Sequence, residues 1–147
     1  MTAHILLTED AKNIDWQSLR TAFTSSGIRD GRSAKQLSQV FKQSQGCCFA
    51  RVDDQLIGTA RSVSDHTHRT YIADVWTHPA FRRHGVATRM LRALLKRLHH
   101  HHVYVFTDSL WLDLYAKVGF EPADKQPHLM GNTRLVVRAP RFVGPPE

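Results

Sequence analysis

Residues 75–91 read Val-Trp-Thr-His-Pro-Ala-Phe-Arg-Arg-His-Gly-Val-Ala-Thr-Arg-Met-Leu, and three kinds of local structure follow one another along them. An apolar, β-branched run over 70–77 stops short of Pro79. A short basic loop with one glycine, Gly85, comes next. From Val86 onward Met90, Leu91, Leu94, Leu95 and Leu98 recur at helical spacing and form one apolar stripe. A strand that hands backbone N–H groups and two arginines, Arg82 and Arg83, to a helix N-terminus suits a diphosphate. Unpaired amides and the positive end of the helix dipole both favour an anion there.

Working outward, the N-terminal side predicts a first strand over 4–7 and a helix over 15–25. That helix carries Trp16, Leu19, Ala22 and Phe23 on one face, with Asp15 as its N-cap. Residues 27–32 hold two glycines and read as a loop, after which Ser33 caps a second helix with Leu37, Val40 and Phe41. Gly46 ends it. Strands over 47–52, 55–64 and 70–77, joined by short polar turns, predict an antiparallel meander. On the C-terminal side, 103–106 is a strand after the long helix, and the strand–helix–strand order predicts a right-handed crossover and a parallel pair. A shorter helix over 109–118 ends at Gly119, and a last strand covers 133–138. The expected architecture is α/β with about four helices and one mixed sheet, antiparallel first and parallel at the crossover. A ligand cleft is expected where the parallel pair diverges.

The 147 residues predict a single domain, with 139–147 as a proline-rich tail. At 41% apolar residues a continuous core is affordable, and the mean hydropathy of −0.37 suits a soluble chain with no membrane span. The first ten residues lack a basic leader, and adjacent Cys47 and Cys48 read as buried reduced thiols, so a cytoplasmic location is expected. A net charge of +7 attracts polyanions in general. No helix-turn-helix, zinc or base-stacking pattern accompanies it, so no nucleic-acid partner is expected. Arg92, Lys96 and Arg97 read as a solvated helix face, and His99 to His102 as a polar turn rather than a metal site.

Arg82-Arg83-His84-Gly85-Val86-Ala87 resembles the R/Q-x-x-G-x-G/A signature of the GNAT superfamily of acetyl-CoA-dependent N-acetyltransferases. Leu114-Tyr115-Ala116-Lys117-Val118-Gly119-Phe120 resembles the later F-Y-x-K-x-G-F element of that family. The two occur in order with a helix and a strand between them. The resemblance implies that Val75, Trp76 and Thr77 pair with the pantetheine arm like an added strand. It also implies that a backbone N–H of that segment meets the thioester oxygen, and that Arg82, Arg83, His84, Gly85, Val86, Ala87 and Thr88 wrap the diphosphate. Tyr115 matches the residue that in many members protonates the departing thiolate. Acetyl-CoA is then the cosubstrate, without a metal. The acceptor is a small-molecule primary amine or a protein amine, acetylated by direct attack in a ternary complex, and a homodimer through the last strand is compatible.

Two residues depart from the family pattern. Asp108 stands where asparagine is usual, and a carboxylate is unfavourable beside an anionic cofactor unless it points away. Trp111 replaces a small residue and either packs in the core or narrows the pantetheine channel. The base is the weakest feature. Members with a side-chain base place it at positions matching Tyr71 or Ala73, neither of which suits the task. Asp74 is the only carboxylate on that strand and is the candidate catalytic base. By simple alternation it faces away from Tyr71 and Ala73, unless a bulge re-aims it. A structural carboxylate holding a neighbouring loop, a base acting through water, or His66 or His68 remain open. The alternative function is a non-catalytic acyl-CoA-binding or regulatory module.

Overall fold

The caps decide where the first two helices begin. The Asp15 carboxylate accepts the N–H of Ser18 at 3.1 Å and starts α1 (Trp16–Ser25). Ser33 and Gln36 form a reciprocal capping box at the start of α2 (Ala34–Gln43). The computed structural model describes residues 4–98, 102–122 and 135–138. His99 to His101, and the expected tail over 139–147, lie outside the described residues.

The remaining elements are β1 (Ile5–Thr8), β2 (Gly46–Val52), β3 (Gln55–Ser64), β4 (Arg69–Thr77), α3 (Val86–Leu95), β5 (His102–Thr107), α4 (Leu112–Lys117), β6 (Glu121–Pro122) and β7 (Leu135–Arg138). They build one mixed sheet in the order β1-β2-β3-β4-β5-β7-β6. β1 to β4 are an antiparallel meander, β4 and β5 are parallel across α3, and β7 runs antiparallel to both β5 and β6. Among the described residues no helix is long and apolar enough to cross a membrane.

Several boundaries differ from the sequence reading: β1 is shifted by one residue, and α2 ends at Gln43 with Ser44 as its cap, so that Gly46 opens β2 instead of ending the helix. The helix expected over 109–118 is a 3-10 turn, Ser109–Trp111, running into the short α4, with Gly119 beyond it at φ +96°. α3 stops at Leu95 although its stripe continues to Leu98, which stays buried in the following turn. The two-residue β6 has no period that a sequence could display. Of the last strand expected over 133–138, Leu135–Arg138 is present as β7, and its first two residues lie outside the described residues.

Each face of the sheet carries its own core. α3 and α4 cover one face, where Val86, Met90, Leu91 and Leu94 meet Ile57, Ile72, Val103, Val105, Tyr115 and Phe120. α1 and α2 cover part of the other, where Leu19, Phe23, Leu37 and Phe41 pack on Phe49 and Trp76. Aromatic contacts lock this second layer, Phe41 lying tilted at 5.3 Å from Phe49 and Phe23 edge-on at 5.4 Å from Trp76. Each fully buried large apolar side chain contributes about 1.5–3 kcal/mol. Gly58 lets α3 come close: a methyl group there would sit 2.9 Å from Met90 Cε and 3.1 Å from Val86 Cγ1. Cys47 and Cys48 are free and buried, and burial pushes the Cys48 thiol up to about 12.

Candidate active site

The parallel pair separates partway along. β4 and β5 are in register from Arg69 with His102 to Ile72 with Val105, and pairing stops there. β4 runs on to Thr77 and β5 to Thr107 without touching as strands. A β-bulge accounts for the divergence. Thr59 pairs with Trp76 and Arg61 with Ala73, so Asp74 and Val75 together face a single residue of β3. Asp74 takes φ +50°, in the left-handed region, which bends and twists the strand. The β5-facing edge of Val75, Trp76 and Thr77 is therefore left without a strand partner among the described residues.

The bulge also re-aims Asp74. Its carboxylate turns to the α1/α2 side, where Arg32 grips it through Nη1 at 2.9 Å and Nη2 at 2.7 Å, and Arg61 Nε donates at 2.6 Å. Its carbonyl oxygen accepts from Thr59 Oγ1 at 2.8 Å. Burial alone would raise the carboxyl pKa. The hydrogen bonds from Arg32 and Arg61 outweigh it and hold Asp74 below the ordinary carboxylate value. Both oxygens are occupied by charged donors. That is the environment of a structural carboxylate that ties the 27–32 loop to the bulge, and it makes Asp74 a weak base.

Beyond β4 a 3-10 turn, Pro79–Phe81, leads into the loop. Arg83 and Gly85 both have positive φ, +67° and +76°. Gly85 is the N-cap of α3 and offers no side-chain acceptor. Among the described residues nothing accepts the backbone N–H of Arg83, His84, Gly85, Val86, Ala87 or Thr88. These amides lie at the positive end of α3, with the exposed side chains of Arg82 and Arg83 beside them. Glycine at position 85 is set by its backbone angle, since an added methyl group would meet nothing within 4 Å. Farther along α3, Arg92 and Lys96 are exposed and Arg97 pairs with Glu9 at 2.9 Å, as a solvated helix face should.

On the β5 side, Tyr115 is 6% exposed, with Phe120 edge-on at 5.5 Å. Burial pushes its phenol up to about 12, so it holds its proton across the neutral range. Its hydroxyl has no hydrogen-bond partner among the described residues. Trp111 is not in the core. It is 40% exposed, and the Arg82 guanidinium lies over its ring at 5.6 Å. Arg82 follows β4 and Trp111 follows β5, so this cation–π contact bridges the open end of the split. Asp108 is exposed at the end of β5. His66 and His68 precede β4 at the opposite end of the strand. At roughly 3.3 Å per residue, His68 lies about 16 Å along it from Ala73, too far for direct proton transfer. Among the described residues no group of three or more His, Cys, Asp or Glu is placed to hold a metal ion.

Sequence reasoning proposed the loop, the β4 edge and Tyr115 as parts of one site. It missed Arg32 and Arg61, whose partner lies 42 and 13 residues away. The one available signal for Arg61 was a charge on an otherwise apolar and small-residue strand.

A parallel strand pair that splits beside a loop of unpaired amides at a helix N-terminus is a layout suited to an extended anionic ligand. The pattern of the acetyltransferase (GNAT) family matches residues 9–120. A chloroplastic GCN5-related N-acetyltransferase 2 from Arabidopsis thaliana is 36% identical over 73 residues, 47% of this chain and 28% of that protein's length. A GNAT-family acetyltransferase from Streptococcus pneumoniae superposes with a TM-score of 0.71 at 18% identity, over 88% of this chain and 99% of that one. The N-acetylglutamate synthase of Neisseria gonorrhoeae, solved with coenzyme A and N-acetyl-glutamate, gives 0.70 at 15% identity, over 95% of this chain and 35% of that one. The chain belongs to the GNAT acetyltransferase family.

Proposed function

We propose that this protein moves an acetyl group from acetyl-CoA to a primary amine by direct attack in a ternary complex. The run of unpartnered amides from Arg83 to Thr88 at the start of α3 carries the reading, because it supplies donors and dipole for the CoA diphosphate with Arg82 and Arg83 alongside. The coenzyme A bound to the gonococcal relative of the same fold supports it. Val75, Trp76 and Thr77 accept the pantetheine arm along their free edge, as in strand addition. A backbone N–H at the bulge stabilises the oxyanion formed when the amine nitrogen attacks the thioester carbon.

As the tetrahedral species collapses, the C–S bond breaks. Tyr115 donates its proton to the leaving sulfur, the amine nitrogen releases one to water, and the phenol is reprotonated from solvent. The high phenol pKa keeps that proton in place until charge has built on sulfur. Asp74 serves by holding the bulge, and the amine reaches the site neutral through solvent. A panel of primary amines assayed for thiol release from acetyl-CoA tests this. Amine-dependent release supports it. Tight CoA binding without release from any amine favours the non-catalytic acyl-CoA module.

A further inference from the structure

Three aromatic rings lie together on the sheet face that α1 and α2 leave open. Tyr71 on β4 and Phe106 on β5 are stacked, with centroids 5.8 Å apart and planes 11° from parallel, and Tyr104 lies 5.7 Å from Tyr71. Tyr71 is 38% and Phe106 36% exposed, and Val63, opposite Tyr71 on β3, is 42% exposed. Large apolar side chains grouped in the open mark a binding surface more often than chance.

Their position says what they bind. Tyr71 with Tyr104 is the next-to-last step of the parallel pair, and Phe106 is the first β5 residue past the last one. The rings therefore pave the ground leading to the point where β4 and β5 part. On the reverse face Ile72, Val103 and Val105 are sealed under α3 and α4. An amine that approaches a thioester held in the split from the open side crosses the aromatic face. The charges beside it are already spent, Arg32 on Asp30 and Asp74, and Arg61 on Asp74. That cluster offers an acceptor no free carboxylate or guanidinium; the exposed Arg69, two residues before Tyr71 on the same strand face, repels a cationic amine, and the rings are what the surface offers for attraction.

Resting on the acetyl-transfer reading above, we propose that the acceptor is an amine bearing an aromatic or flat apolar group, which stacks on Tyr71 and Phe106 while its nitrogen points into the split. Phenethylamine and tryptamine, compared with butylamine and agmatine in the thiol-release assay, should show a kcat/KM advantage of about tenfold or more. Phe106→Ala and Tyr71→Ala should erase that advantage while the acetyl-CoA Kd stays as in the wild type. Phe106→Leu, which retains apolar bulk, should keep part of it and guards against a folding artefact. Turnover confined to charged aliphatic amines would overturn this proposal alone, as would a wild-type dimer that Phe106→Ala dissociates. Absence of turnover with any amine would remove the acetyl-transfer reading and this proposal with it.

Discussion

Arg61 Nε donates to Asp74 Oδ2 at 2.6 Å, joining β3 to β4 at the step where their register slips. A non-glycine residue held at φ +50° is strained, by about 1–3 kcal/mol, and persists only when its surroundings over-determine it. Arg61 from the adjacent strand and Arg32 from the α1–α2 loop do so from two directions. The bulge that opens the cleft is thus held from outside the cleft.

Asp74→Asn tests this. Removing the charge leaves the part-buried Arg61 guanidinium without a carboxylate and Arg32 with Asp30 alone, which should destabilise the fold by about 3 kcal/mol in denaturant unfolding. The kcat should drop at least tenfold as the bulge loosens. Binding of the CoA diphosphate, which we assign to the loop beyond β4, should change little. Were Asp74 the base instead, kcat would collapse with stability intact, and the acid limb of the pH–rate profile would vanish.

Acid unfolding should carry the same signature. The folded Asp74 pKa lies below its ordinary value of 3.8, and so does that of Asp65, which accepts backbone N–H groups of His68, Thr67 and Arg69. A depressed folded pKa adds stability above the unfolded value, and this is lost as pH falls through the folded one. Stability of the wild type should therefore decline steeply below 3.8, and Asp74→Asn should flatten that decline. An unchanged slope in the variant would contradict the ion-pair assignment.

Tyr115→Phe should lower kcat about 100-fold with acetyl-CoA affinity retained, as expected for loss of a general acid. With the phenol near 12, the wild-type rate should rise with amine deprotonation and show no descending limb up to about pH 10. Wild-type turnover in the Phe variant would return the proton to solvent.

Gly58→Ala should cost about 1–3 kcal/mol. Met90 can swing its terminal methyl aside, but Val86, one residue past the helix cap, has no such freedom. Thermal unfolding reads the loss directly. An unchanged Tm would mean that α3 does not sit as closely on β3 as described.

Much of this architecture was legible because its signals are local. Asp15 and Ser33 announce helix starts by residue type, the Val86 to Leu98 stripe repeats within one helix, and the strand–helix–strand order fixes the parallel crossover. The loop from Arg82 to Thr88 reads out for the same reason. The bulge was legible only as a possibility, since the arginines that hold Asp74 come from distant segments and alternation alone aims its side chain to the other face. Trp111 kept two readings because exposure at the start of a short helix depends on where the neighbouring strand end lies. The aromatic face was invisible for a related reason: Tyr71 and Phe106 stack only once the parallel register is set.

The central claim is that the free amides from Arg83 to Thr88 hold the diphosphate of coenzyme A. Isothermal titration of the folded protein with CoA tests it most directly. Saturable one-to-one binding is predicted, lost in Gly85→Glu, whose side chain adds both a strained backbone at φ +76° and a negative charge at the anion site. No heat of binding to the wild type, or equal affinity in the variant, would contradict it.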